Sequence, residues 1–138
     1  MAVTHALPNR AGESEKLTIN LGYVDLGRID LLVQEGFYSN RSDFIRTAIR
    51  NQLNEHKNDL GKSVSKGHFE LGLCTYSRAV LEAAKAAGER LNIRVLGLAS
   101  IAADVPPALA RATIESITVL GALHASKDVK AALADRIH

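Results

Sequence analysis

From Lys16 to Leu21 polar and apolar residues alternate, with Leu17, Ile19 and Leu21 on one side and Lys16, Thr18 and Asn20 on the other. A period of two is the signature of a strand. The period then lengthens. Val24, Ile29, Leu32 and Val33, with Leu26 beside them, recur at helical spacing and predict a helix that stops at Gly36. Phe44, Ile45, Ala48, Ile49 and Leu53 predict a second helix, entered through Ser39 as N-cap. Residues 56–66 are polar around Gly61 and read as a linker.

Beyond residue 66 the chain repeats itself. Phe69-Glu70-Leu71-Gly72-Leu73, Arg94-Val95-Leu96-Gly97-Leu98 and Thr118-Val119-Leu120-Gly121-Ala122 each centre on a glycine, 25 and then 24 residues apart. Val80, Val105 and Val129 follow at the same offset, and Ala84, Leu109 and Leu133 after them. The pattern predicts three units of strand, glycine turn and helix, with helices over 80–91, 106–114 and 129–137. Ser77 and Ser126 can cap the first and third, and Asp104 followed by Pro106 and Pro107 can start the second. A unit of this size cannot bury its apolar face alone, so stacked units of leucine-rich-repeat-like character are expected. A compact monomeric α/β tail with a coincidental repeat is the alternative. In the last unit Leu120, Leu123 and Leu133 would leave an apolar end, so self-association through them is expected.

The alternating segment has a chemical reading. A lone strand leaves its backbone groups unpaired and its apolar face wet, so it calls for a second copy of the chain and a two-stranded antiparallel ribbon. The outer face of that ribbon would carry Lys16, Thr18 and Asn20 twice, side chains able to bond base edges in a major groove. At the start of the second helix, the free N–H groups around Ser39, Asn40, Arg41 and Ser42 could clamp a phosphate, with Arg41 adding charge.

Strand, helix, Gly36-Phe37-Tyr38-Ser39-Asn40-Arg41-Ser42-Asp43, then Ile45-Arg46 and Ala48-Ile49-Arg50, together resemble the ribbon-helix-helix (MetJ/Arc/CopG) transcriptional regulators over roughly residues 15–55. The resemblance implies an obligate dimer that reads operators with Lys16, Thr18 and Asn20 and grips the backbone through Ser39 to Ser42. Gly22 stands where the family more often has Pro, Asp or Ser. Gly27, inside the first helix, costs about 1 kcal/mol relative to Ala.

Composition adds little and excludes much. The net charge is +2, and residues 1–66 carry nine Lys/Arg against eight Asp/Glu, so a nucleic-acid reading rests on where Lys16, Arg41, Arg46 and Arg10 sit. No run approaches the roughly 20 apolar residues that span a bilayer, and the first residues have no cleavage pattern, which implies a cytoplasmic protein. One cysteine, Cys74, allows no internal disulfide and fits a reducing compartment.

His68 and Cys74 resemble part of the metal site of nickel-responsive ribbon-helix-helix regulators, but two ligands do not make a site, and the other histidines are scattered. Cys74 reads instead as a small buried hydrophobe. No nucleophile, base and orienter can be assembled, so neither an enzyme nor a cofactor is expected. The expectation is an α+β chain: a flexible tail over 1–14, a ribbon-helix-helix domain over 15–55, a linker over 56–66 and a repeat domain over 67–138. Its function would be a sequence-specific DNA-binding regulator, a repressor, whose dimers join into tetramers or larger through the C-terminal domain. An antitoxin of a toxin-antitoxin pair and a DNA-partitioning or structural DNA-binding protein are the alternatives.

Overall fold

The computed structural model describes residues 14–138, so the tail and Arg10 lie outside the described residues except for Ser14. It contains two compact units, Ser14–Lys62 and a second one that takes in Ser63–His138.

The first unit holds helices α1 (Tyr23–Gln34) and α2 (Arg41–Glu55). Gly36 ends α1 with φ +88, while its N–H and that of Phe37 bond back to the Val33 and Leu32 carbonyls at 3.1 and 3.0 Å. Those two bonds satisfy carbonyls that the helix end would otherwise orphan, and the backbone turn they need suits a residue without Cβ. Residues 56–66, expected as a linker, are helical instead: α3 spans Lys57–Gly67. Leu60 and Val64 lie four apart there, one turn of helix, and that short apolar period prevails over the polar composition.

In the second unit, strands β1 (Glu70–Tyr76), β2 (Leu91–Ile101) and β3 (Ile114–His124) form a parallel sheet in the order β1-β2-β3. Helices α4 (Arg78–Ala86), α5 (Pro107–Thr113) and α6 (Lys127–Ala132) follow the strands in turn. Ser77 and Ser126 accept from the Val80 and Val129 N–H groups, each at 3.2 Å, and Pro107 opens α5 at a position whose N–H has no helical partner.

All three helices cover one face of the sheet. Leu81, Leu109, Ala110, Val129 and Leu133 pack there on Ile93, Val95, Ala99, Ile101 and Ile117, every one under a tenth exposed. Each large side chain among them contributes roughly 1.5–3 kcal/mol by leaving water.

The repeated glycines are not turns. Gly72, Gly97 and Gly121 lie inside the three strands, pair with one another in register and have φ of +121, +138 and +126. A Cβ on Gly97 would overlap the Gly72 carbonyl oxygen, and one on Gly121 the Gly97 carbonyl oxygen. Both the backbone region and the close approach therefore demand glycine.

The outer edge of the last strand is covered at Ile117. The chain returns along β3, where Ile117 N–H donates to the Arg136 carbonyl and His138 N–H to the Ile117 carbonyl, both at 2.8 Å. The Arg136 guanidinium adds bonds to the Arg111 and Ile114 carbonyls at 2.5 and 2.7 Å. Of the three leucines expected at that end, only Leu120 is exposed, at 56%. Leu123 packs against the core, and Leu133 is fully buried within it.

Candidate nucleic-acid interface

Residues 14–22 precede α1 without belonging to a helix or a sheet ladder. The strand expected here is not paired within the chain, because a ladder needs a neighbour and the first unit offers no second strand among the described residues. Lys16, Thr18 and Asn20 are exposed, as a reading face requires. The apolar side is exposed as well, with Leu17 at 79%, Ile19 at 60% and Leu21 at 41%.

That exposure extends into the helices. In the first unit Ile29 is the one buried hydrophobic residue among those described, while Leu26, Leu32, Val33, Phe44 and Ile45 are only partly covered. Val24, Ala48, Ile49 and Leu53, expected to point inward, are exposed. Two helices meeting at one point cannot enclose a core, so the amphipathic faces that the periodicity built remain half covered in a single chain.

The turn between the helices is better determined. Tyr38 and Phe44 meet edge to face with centroids 5.0 Å apart. Asn40, not Ser39, is the N-cap of α2: its Oδ1 accepts from Asp43 N–H at 2.8 Å, and the Asp43 carboxylate accepts from Ser39 N–H at 2.9 Å. This is a variant of the capping box in which the return bond goes to the residue before the cap, and its signal in the sequence is the three-residue spacing of Asn40 and Asp43. It occupies the Ser39 N–H. The N–H groups of Arg41 and Ser42, in the first turn of α2, have no acceptor within the helix and are available to outside acceptors.

Arg41 has a partner that sequence reading missed. Its Nε and Nη2 donate to the two carboxylate oxygens of Asp30, both at 2.8 Å, across the turn from α2 to α1. The hydrogen bonds and charge hold the Asp30 carboxyl below its usual range and raise the Arg41 guanidinium further. Eleven residues separate the two, too far for any local spacing rule to connect them. Arg46 and Arg50 are exposed on α2, and Arg28 on α1 sits 3.8 Å from Asp25.

Cys74 donates its thiol to Glu70 at 3.3 Å. His68, six residues before it, adopts φ +55 at the end of α3. Among the described residues no three His, Cys, Asp or Glu side chains gather as a metal-binding group, and no helix is long and apolar enough to cross a membrane.

Residues 12–130 match the family model described as the Ribbon-Helix-Helix transcriptional regulator family. The match runs well past the first third of the chain, where the resemblance ended, and takes in the three strands and most of the helices of the second unit. No curated protein and no solved structure matches the chain.

Proposed function

This chain belongs to the ribbon-helix-helix transcriptional regulator family, and we propose that it is a sequence-specific repressor that reads the major groove with a ribbon of two chains. The observation carrying this reading is the first unit's lack of a core. With Ile29 alone buried and Leu17, Ile19, Leu21, Val24, Ile49 and Leu53 exposed, it needs a partner surface of the same apolar kind. A second copy supplies one, because pairing residues 16–21 antiparallel forms one ladder between the two strands and turns Leu17, Ile19 and Leu21 onto the helices.

The same pairing turns Lys16, Thr18 and Asn20 outward. Asn can bond adenine bidentately, Lys donates to guanine, and Thr bonds either way or touches the thymine methyl. Backbone grip then falls to the Arg41 and Ser42 N–H groups and the Arg41 guanidinium at the α2 N-terminus, with Ser39 and Asn40 shaping that turn. In this reading the second unit is a stack of three strand-helix repeats that joins dimers, and the protein works in the cytoplasm beside its DNA.

Replacing Thr18 and Asn20 together by Ala tests the reading. Each change should cost roughly 1–3 kcal/mol at its matched base. Affinity for sites selected from genomic DNA should fall to the level of random DNA, while the melting curve and the mass of the free protein stay as they were. Unchanged preference for the selected sites would rule out the ribbon as reader.

A further inference from the structure

Among the described residues, the parallel sheet of the second unit is covered on one face only. Pairing register puts Leu71, Leu96 and Leu120 in one row and Leu73, Leu98 and Ala122 in the next, all on the side away from α4, α5 and α6. Leu71 is 76% exposed, Leu73 65% and Leu120 56%. Within this unit no described element lies on these rows. Parallel sheets ordinarily bury both faces, because the crossover helices and a second layer exclude water from an apolar ladder on each side. Among the described residues, one layer is missing here.

From this face we infer that the second unit packs, sheet against sheet, on the same face of a chain from another dimer, so that dimers associate into tetramers or larger. This rests on the ribbon dimer proposed above and names the surface that joins such dimers. A second copy is the occupant that the surface itself selects. The two rows hold no charged side chain, so the face meets its own image without like-charge repulsion, which an isologous contact requires. Polar residues frame it as a rim frames an interface core, Thr118 at one end beside Arg94, whose guanidinium lies over the Phe69 ring and donates to the Gly67 carbonyl, and Ser100 and His124 at the other.

Size points the same way. Three strands about 4.8 Å apart and some six residues long present about 300 Å², so one face pair buries about 600 Å² in total. That is below the roughly 1,200 Å² at which independent association becomes stable. A dimer carries two such faces, and two contacts made at once reach that range by acting as a bivalent pair. Edge pairing of β1 would cover Leu71 and Leu73 but not Leu120 on β3, the far strand. Only a face-to-face layer accounts for all three leucines.

Sedimentation velocity on the full-length protein across the micromolar range tests the inference, with Leu120→Asp and Leu71→Lys as separate variants and Ile19→Asp as a ribbon control. The wild type should shift from dimer to tetramer or larger as concentration rises. Each leucine variant should stay a dimer, with unchanged circular dichroism and with the melting temperature that the wild type shows at concentrations where it too is a dimer, since neither side chain belongs to the core. A wild type that stays dimeric throughout, or either folded leucine variant that still assembles beyond a dimer, overturns the inference. Ile19→Asp reports separately on the ribbon. It should leave monomers, since one sheet-face contact is too small to hold by itself, and an unchanged mass would overturn the ribbon dimer whatever the leucine variants do.

Discussion

Arg41 and Asp30 hold each other through two parallel hydrogen bonds of 2.8 Å, which ties the first turn of α2 to the last two turns of α1. The fork geometry suits a carboxylate as well as it suits a phosphate, so Asp30 both positions the guanidinium and competes for it. Arg41→Ala should weaken binding about equally on selected and random DNA, and lower the salt slope by about one for each phosphate the side chain neutralises. Asp30→Asn should leave Arg41 free and remove one negative charge near the backbone, raising affinity for random DNA by about two- to five-fold at low salt. Fluorescence anisotropy over a salt series reads both. A change in preferred sequence with Arg41→Ala would contradict a phosphate role. Because Asp30 titrates below its usual range, the pair is intact at neutral pH and is lost as pH falls through that lowered value.

Gly97 and Gly61 make a contrast that isolates the in-strand glycines. Gly97→Ala places a Cβ against the Gly72 carbonyl oxygen in a backbone region, φ +138, that side chains rarely adopt. The expected loss is about 2–4 kcal/mol of the second unit's stability. Gly61 lies inside α3 with nothing within 4 Å of an added Cβ, so Gly61→Ala should stabilise by about 0.5–1 kcal/mol. Urea unfolding followed by circular dichroism measures both signs. Equal effects at the two positions would mean that the strands do not stack with their glycines in register.

Leu133→Ala should destabilise the second unit by about 2–5 kcal/mol, because this side chain is fully buried among Ile93, Ile117 and Val129 and its removal leaves a cavity. Leu120→Ala, at an exposed position, should stay within about 0.5 kcal/mol. Thermal melts of the two variants decide between them. Similar melting temperatures would place Leu133 at the surface.

Cys74 should alkylate slowly. Burial pushes its thiol above the ordinary range, and the neighbouring Glu70 carboxylate, which accepts a hydrogen bond from it at 3.3 Å, pushes it further. The thiolate is the nucleophile, so reaction with iodoacetamide at pH 8 should run several-fold slower than that of an unhindered cysteine. Glu70→Gln removes the charge and should raise the rate. Two residues on, Tyr76 is pushed up to about 12 by burial first and then by the same neighbours, so it stays a phenol over the whole range of the experiment.

What the sequence determined by itself is the set of elements whose evidence is local. Helical spacing from Val24 to Leu53 and the 25- and 24-residue recurrence of glycine mark elements that form, while the alternation at Lys16 to Leu21 sorts side chains onto two faces without making a paired strand in the single chain. The glycine spacing also sets which residues of the three strands meet, because parallel strands of one sheet align like with like. What only the tertiary structure decided depends on groups far apart in the chain. Glycines that spacing makes look like turns lie in mid-strand, since the carbonyl that forbids a Cβ belongs to the neighbouring strand. Leu120 and Leu133 are equally apolar and close in sequence, yet one faces water and the other the core, because the sheet side and the helix direction separate them. Asp30 reaches Arg41 only after the turn at Gly36 brings the start of α2 back to α1. A pairing of that kind has no period to announce it.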